Sequence, residues 1–437
     1  MTSEASPPPT RQPPVLFLLF GTEAWERFSY YGMRAILVLY MTKALSYDQK
    51  TASIVYGLYT ALVYLTPLAG GLLADRVLGY RRSIMLGGLV MAAGQFCLSV
   101  GTTAFFVTGL GLLVVGNGFF KPNISTLVGT LYQQGDSRRD RGFTIFYMGI
   151  NLGAFFSPIV CGTLGEDPRF GYAWGFRAAG VGMLVGLAIF ALGQRALGDS
   201  GLPPTTARRS EASAANATSA PLSPEERRRV WAIVLVALLM VFFWMAFEQA
   251  GNTLTTWADE RTDRMIFGWE MKASHFQSIN PLFIIALAPI VSQLWKALGA
   301  RGREPSTPAK MVLGLTLVGV GFVPMVFAAV QAEHAGKAAA AWLFATYFLH
   351  TVGELCLSPV GLSFVTKLAP KKYAAILMGT WFLPVFLGNL LAGVTGSWYT
   401  GVSKAVFFAV FVASSLAAAA ILLAMSGFIK GLMGSTR

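Results

Sequence analysis

The chain has 437 residues, of which 54% are hydrophobic and only 13% are charged, and its mean hydropathy is +0.56. About a quarter of the residues in soluble domains are charged, so this composition excludes an ordinary soluble protein and predicts an all-α integral membrane protein. The net charge of +13 is spread over many short loops, which argues against a nucleic-acid partner. Cys97, Cys161 and Cys356 lie in apolar stretches without metal-ligand spacing, so we predict neither disulfides nor a metal site.

Twelve apolar segments are long enough to cross a bilayer, which takes about 20 residues each. They are residues 15–41, 51–74, 83–102, 104–128, 143–164 and 173–193, then 230–257, 275–298, 310–331, 340–366, 373–397 and 404–429. Residues 194–229 between the two sets are rich in Ser, Pro, Arg and Glu and predict a hydrophilic linker. We therefore predict two six-helix bundles, 15–193 and 230–429, with polar tails at 1–14 and 430–437. The first tail lacks the pattern of a cleavable signal peptide.

Basic residues are concentrated on one side of the predicted membrane. If the N-terminus is cytoplasmic, most of the 34 Lys and Arg residues lie in cytoplasmic loops, in the linker or in the tails. Cytoplasmic loops of membrane proteins are enriched in basic residues. We therefore predict a multi-pass protein of the inner (cytoplasmic) membrane with both termini inside the cell. The sequon at Asn216 falls in the cytoplasmic linker, so no glycan is expected.

The first segment carries an unusual stripe of polar side chains. These are Glu23, Glu26, Arg27, Tyr30 and Arg34, whose spacing places them on one face of a helix. An ionised side chain at mid-bilayer costs roughly 2.5–3.5 kcal/mol on insertion scales. The stripe is therefore expected to face a protein interior or a wet cavity.

Later segments contain charges that match this stripe. Lys121, Glu248 and Glu354 lie in the fourth, seventh and tenth segments, so helices of both bundles are expected to converge on one polar cavity. Purely structural ion pairs are the alternative interpretation, but buried pairs are often worth little net stability. Arg177 is close to a helix end and is expected to snorkel to the interface.

A motif follows the second segment. Gly70-Gly71-Leu-Leu-Ala-Asp75-Arg76-Val-Leu-Gly79-Tyr-Arg81-Arg82 resembles the motif between helices 2 and 3 of the major facilitator superfamily. The resemblance implies the major facilitator fold, with twelve transmembrane helices as two six-helix bundles. It also implies a conformational role for Gly71, Asp75, Arg76, Gly79 and Arg81.

Five further blocks resemble one branch of that superfamily, the proton-dependent oligopeptide transporters of bacterial type. The blocks are Glu23-x-x-Glu26-Arg27-Phe28, Gly116-Asn-Gly118-Phe-Phe-Lys121-Pro122-Asn123-Ile-Ser125, Phe143-Thr-Ile-Phe-Tyr147-Met-Gly-Ile-Asn151-Leu-Gly153-Ala, Glu248-Gln and Gly353-Glu354-Leu-Cys-Leu-Ser358-Pro359. They occur in the family's order and extend over essentially all twelve segments. The resemblance implies import of di- and tripeptides, and of peptide-like drugs, by alternating access, with the proton as coupling ion and no cofactor.

A short peptide is a zwitterion, so its site needs a cationic group for the carboxylate, an anionic group for the ammonium, and walls that accept varied side chains. Arg27, Arg34 and Lys121 suit the carboxylate, and Glu354 suits the ammonium group. The remaining substrate-binding candidates, which supply amides, hydroxyls or apolar walls, are Tyr30, Tyr64, Tyr147, Asn151, Trp244, Asn280, Ser358 and Trp381. Either tryptophan could equally serve only for packing or as part of an interfacial belt.

Proton coupling needs a carboxylate whose two states are stabilised differently in the two conformations. The resemblance implies that Glu248 pairs with Arg34 and that its protonation releases one gate. Glu23 and Glu26 are the other candidates, because a substrate carboxylate would compete with them for Arg27 and Lys121. Glu248 is the first candidate, and which carboxylate titrates first stays open.

The sequence departs from the family in two respects. Animal relatives carry a proton-linked histidine in helix 2, whereas the stretch from Tyr56 to Thr60 has none. His275, His334 and His350 lie elsewhere, and we interpret His350 as a packing residue. Many bacterial relatives also have two extra helices between the bundles, which the polar linker here is unable to form.

Two other functional classes compete with peptide transport. A carrier of nitrate or another small anion would have the same fold, but it would not need Glu354, Asn151 and Asn280 for an ammonium group. A membrane enzyme or receptor is disfavoured because the sequence has no metal cluster, nucleophile elbow or phosphate loop. No catalytic residue is assigned, and we expect a monomer surrounded by lipid.

Overall fold

The structure is a computed structural model that describes residues 11–133, 136–203, 223–368, 377 and 382–433. Helices dominate these residues. In chain order they are α1 Val15–Leu39, α2 Gln49–Leu73, α3 Tyr80–Leu98, α4 Thr103–Gly129, α5 Arg139–Glu166, α6 Tyr172–Gly193, α7 Pro224–Phe247, α8 Thr253–Glu260, α9 Ile279–Ala300, α10 Thr307–Val320, α11 Val323–Ala335, α12 Ala341–Leu368, α13 Leu383–Gly396 and α14 Lys404–Met433.

Each of the twelve predicted segments contains at least one of these helices. The seventh segment is α7 and α8, joined by a 3-10 turn at Glu248–Gly251, and the ninth is α10 and α11. The eleventh segment is seen as α13, because its first residues lie outside the described ranges. Within the described residues, eight helical stretches are long and apolar enough to cross a membrane by length and composition. The charged α1 is not among them.

Local sequence explains where several helices begin. The Asp48 carboxylate accepts a hydrogen bond from the backbone N–H of Thr51 at 2.8 Å and caps α2. Ser223 and Glu226 form a reciprocal capping box, with Pro224 at the first helical position. This cap starts α7 at Pro224, earlier than the predicted residue 230.

The buried apolar side chains divide into two clusters. One runs from Leu16 to Leu197, and the other runs from Ala232 to Ile429 and includes only Leu39 from the earlier part of the chain. Within the first cluster's bundle, α1 packs against α5 and α6, and α3 packs against α4. In the second bundle α10 packs against α12 and α14. The architecture is therefore two helical bundles with separate cores.

Close helix approach in the first bundle depends on glycine at Gly70. A Cβ atom added there would lie 1.9 Å from the carbonyl oxygen of Gly118 on α4, whereas one added at Gly71 would meet nothing nearer than Pro122 Cβ at 3.8 Å. We expect Gly70→Ala to separate α2 from α4 and to cost about 1–3 kcal/mol as an overpacked site. Gly71→Ala is the matched control. Thermal unfolding of both variants in detergent tests this, and equal midpoints would contradict the packing argument.

Most of the described hydrogen bonds and ion pairs between the two bundles lie toward one end of the molecule. Here Lys43 Nζ is 2.6 Å from Asp259 Oδ2, and the Ser53 hydroxyl donates to Asn252 Oδ1 at 2.9 Å. The Glu166 carboxylate, at the end of α5, accepts from the backbone N–H groups of Ala273 and Ser274 in the second bundle at 3.0 and 2.9 Å. We call this the closed end.

Four two-residue strands also lie at the closed end. In parallel pairing, β1 Thr262–Asp263 contacts β4 Ala338–Ala339. An antiparallel hairpin is formed by β2 Met265–Ile266 and β3 Trp269–Glu270. The first three strands lie between α8 and the 3-10 turn Ala273–Ser278 that leads into α9, whereas β4 lies between α11 and α12.

Candidate functional site

The polar stripe of α1 lies inside the protein. Glu23, Glu26, Arg27, Tyr30 and Arg34 are all buried, and each has no more than 6% of its surface exposed. The helical period predicts this common face. Burying these charges inside a membrane protein costs free energy, and contacts among the charges offset this cost. The charges form two groups along the helix.

The first group surrounds Arg27. Its Nε is 3.1 Å from Glu23 Oε1, and its guanidinium donates two hydrogen bonds to the Glu26 carboxylate, one of them at 2.9 Å. Lys121 on α4 lies close enough to interact with these three charges, and its Nζ is 4.4 Å from the centre of the Tyr64 ring. Two acids and two cations are thus gathered in the first bundle.

The second group joins the two bundles. Arg34 Nη2 on α1 is 3.3 Å from Glu248 Oε2, in the 3-10 turn that follows α7. Both side chains are buried, and the Arg34 guanidinium also lies 5.5 Å from the centre of the Tyr31 ring. Because the two partners belong to different bundles, any separation of the bundles at this level must break the pair.

Glu354 has polar partners within the second bundle. Asn280 Nδ2, on α9, donates to Glu354 Oε2 at 2.9 Å and to Thr351 Oγ1 at 3.0 Å. Asn280 therefore orients the carboxylate of α12. No ion pair to Glu354 is present among the described residues, so this carboxylate retains acceptor capacity for a cationic ligand.

A cavity of about 160 Å³ connects Arg34 with Glu354. It lies between the bundles. Its polar lining includes most of the predicted substrate-binding residues, together with one predicted coupling residue. These are Arg34, Tyr64, Tyr147, Asn151, Trp244, Glu248, Asn280 and Glu354. The cavity thus has a cationic group on α1 and an anionic group on α12, with amides and aromatic rings between them.

Other predicted residues lie outside this lining. Arg27, Tyr30, Glu23, Glu26 and Lys121 form the neighbouring group on α1 and α4, which reaches the cavity through Tyr64. Ser358 is one helical turn beyond Glu354, and its buried hydroxyl oxygen has no hydrogen-bond partner among the described residues. Trp381 lies outside the described residues.

The cavity also contains residues that the sequence interpretation missed. Tyr31, Phe247, Gln277, Tyr347 and His350 contribute to its wall. Helical spacing gives a signal for two of them, because Tyr347 and His350 precede Glu354 by seven and four positions and so share its face. His350 packs against Phe322 with 4.7 Å between ring centres, in agreement with a packing role.

The motif after α2 contacts the beginning of the linker. Arg81 Nε donates to the carbonyl oxygen of Ser200 at 2.7 Å, and the Tyr80 hydroxyl donates to Asp75 Oδ1 at 2.9 Å. Gly79 has φ of +73°, and a Cβ atom there would lie 2.6 Å from the backbone nitrogen of Pro203. Glycine is therefore required at this position for the linker to approach. Among the described residues, no polar contact is recorded for the Arg76 side chain, and Gly71 has no close neighbour in this motif.

Two helical bundles around a central, charged cavity define a multi-pass membrane transporter with the major facilitator fold. The predicted fold class is thereby confirmed. The chain also matches the family model described as POT family over residues 81–221 and 205–411. It belongs to the POT family, and it is a transporter and not an enzyme.

Individual relatives agree with this assignment. The chain is 37% identical to an uncharacterized transporter, YclF, of Bacillus subtilis, over 96% of this chain and 94% of that protein. It is 35% identical to a di-/tripeptide transporter of Lactococcus lactis, over 98% and 97% of the two chains. It is also similar to the crystal structure of the peptide transporter POT in complex with sulfate, with a TM-score of 0.89, 37% identity and 98% coverage of both chains. A mutant of that transporter in complex with alafosfalin gives a TM-score of 0.88.

Proposed function

We propose that this protein is a proton-coupled symporter that imports di- and tripeptides across the cytoplasmic membrane by alternating access. One observation carries the proposal: a single cavity presents Arg34 on one wall and Glu354, oriented by Asn280, on another. A zwitterionic peptide would place its carboxylate at the first group and its ammonium at the second. Apolar and aromatic walls such as Trp244 and Phe247 would accept varied side chains.

Proton coupling is proposed to act through the Arg34–Glu248 pair. Protonation of Glu248 removes its charge, weakens a pair that joins the bundles, and leaves Arg34 free for a peptide carboxylate. Substrate and proton then favour the same rearrangement, which links the two events thermodynamically. Glu23 and Glu26 are proposed as secondary proton sites, since they compete with a carboxylate for Arg27 and Lys121.

The closed end is proposed to be the outer end of the transporter. Both termini and the linker would then be cytoplasmic, as the distribution of basic residues predicts. The domain boundaries proposed from the sequence are 15–193 and 230–429 for the bundles and 194–229 for the linker. We further propose that the protein works as a monomer in the inner membrane and that peptide-like drugs share the site. Ser358 and Trp381 remain proposed substrate contacts.

Binding of peptides in detergent tests the proposed site directly. A dipeptide with free termini is expected to raise the unfolding temperature, because a ligand that binds only the folded state stabilises it by mass action. The matched controls are the same dipeptide acetylated at its amine and the same dipeptide amidated at its carboxylate. Each control removes one charged end, and each is expected to bind more weakly. A shift of equal size with all three peptides would contradict a site with two charged poles.

A carrier of small anions is the second candidate. It would use Arg34 and Lys121 but would have no need of the oriented Glu354 carboxylate. The hydrogen bond from Asn280 to Glu354 therefore favours peptides. Nitrate in the same thermal assay distinguishes the two functions.

A further inference from the structure

The hairpin of β2 and β3 exposes large apolar side chains at and beside its turn. Its two-residue turn is Phe267-Gly268, with φ of +51° at Phe267 and +80° at Gly268. Met265, Phe267 and Trp269 are all exposed, and Phe267 is completely so. Three large apolar side chains are thus exposed on one short element.

Phe267 is an unusual residue for the backbone conformation of this turn. Two-residue hairpin turns with positive φ at both central positions strongly favour Asn-Gly or Asp-Gly, because most other residues are strained there. Phe267 occupies the first of these positions, and its side chain is fully exposed among the described residues. A contact of the exposed ring with a partner outside the chain would compensate this strain.

The hairpin lies at the level of a membrane surface. Trp295 and Lys296, near the end of α9, are side chains typical of a membrane interface. Phe276, at the other end of this span, is about 20 helical residues from Trp295. At 1.5 Å per residue this distance is about 30 Å, which is the thickness of the hydrocarbon core of a bilayer. Trp269 stacks on His275, the neighbour of Phe276, with ring centres 5.6 Å apart. The hairpin therefore lies beside the membrane interface opposite to the one at Trp295.

The apolar tip is also continuous with a lipid-facing surface. The span Ala273–Ala300 is the least buried of the described candidate spans, and Leu282, Ile290 and Leu294 of α9 are exposed along it. The hairpin directly precedes this span. Its aromatic side chains therefore extend the surface that meets lipid tails up into the region of the headgroups.

We propose that the hairpin tip, formed by Met265, Phe267 and Trp269, inserts into the headgroup region of the outer leaflet. Aromatic rings are favoured at this depth because they have apolar bodies and tolerate nearby water. Insertion would anchor the connection between α8 and α9. Arg264 next to the hairpin lies 3.7 Å from Glu166 and from Asp259, so the anchor adjoins contacts that hold the closed end together. The proposal does not depend on the identity of the transported substrate.

Site-directed spin labelling of the full chain in phosphatidylethanolamine and phosphatidylglycerol vesicles tests the insertion. A nitroxide at Phe267→Cys is expected to collide with oxygen and to be protected several-fold from a water-soluble nickel chelate, relative to Lys337→Cys. Lys337 is an exposed residue in the turn before β4 at the same end. Wild-type protein labelled in parallel corrects for Cys97, Cys161 and Cys356.

Two outcomes would overturn the proposal. Nickel accessibility equal to that at Lys337→Cys would show that the tip projects into water. Protection from both oxygen and nickel would show that the tip is covered by protein, either a second copy or another partner. Met265→Cys repeats the measurement if Phe267→Cys does not fold. Phe267→Asn should relieve the strained turn and therefore raise the unfolding temperature in detergent. In vesicles the same variant loses the inserted ring, so its unfolding temperature should not rise. An equal gain in both media would also count against insertion.

Discussion

Glu248→Gln is expected to abolish peptide accumulation driven by a proton gradient while leaving peptide exchange intact. Glutamine keeps the shape of the side chain but holds it permanently neutral, as protonation would. The Arg34 guanidinium, 3.3 Å away and buried, then has no carboxylate partner at any pH. One proton moving through 100 mV supplies about 2.3 kcal/mol, or about fifty-fold accumulation, and this factor should fall to about one.

The measurement compares two assays on the same proteoliposomes. Counterflow of labelled against unlabelled peptide reports substrate binding and the conformational change, whereas uptake under an inward proton gradient reports coupling. Glu225→Gln is the matched control, because Glu225 is an exposed residue at the start of α7, the helix that ends just before Glu248, and pairs with Arg229. Gradient-driven accumulation retained in Glu248→Gln would remove this residue from the coupling mechanism.

Glu354→Ala is expected to weaken binding of free dipeptides by about 10- to 100-fold. A hydrogen bond to a charged group contributes about 1.5–3 kcal/mol, and the variant removes the carboxylate that would hold the peptide ammonium. A dipeptide acetylated at its amine has no such group, so its weaker binding should change little. Isothermal titration or competition against a labelled peptide gives both affinities.

Thr351→Val provides the control for Glu354→Ala. It removes the other acceptor of the Asn280 side chain and leaves the charge of the cavity unchanged. We expect a much smaller loss of affinity from this variant. If Glu354→Ala weakened free and acetylated dipeptides equally, the carboxylate would have a structural or gating role and the proposed orientation of the substrate would be wrong.

The sequence predicts the fold and the location of the charged cavity because both follow from periodic patterns. Apolar segments of membrane length mark the helices, and a helical period places Glu23, Arg27 and Arg34 on one face. Charges that are costly in lipid predict a shared polar cavity, and the family resemblance implies that Glu248 pairs with Arg34 there. The structure brings Arg34 and Glu248 together across the two bundles.

Other parts of the site depend on contacts that no local pattern encodes. The reach of Asn280 to both Glu354 and Thr351 is set by how α9 packs against α12. The same holds for Glu166, whose carboxylate meets backbone N–H groups more than 100 positions away. Helix rotation and the path of loops decide these contacts, and sequence spacing within one helix carries no information about either.

Uptake of a labelled dipeptide into proteoliposomes tests the central claim most directly. The transporter is reconstituted alone, and uptake is followed with and without an inward proton gradient, then after addition of an uncoupler. We predict accumulation above the external concentration that requires the gradient and collapses when the uncoupler is added. Uptake of the same extent in the presence of the uncoupler would contradict proton-coupled peptide symport.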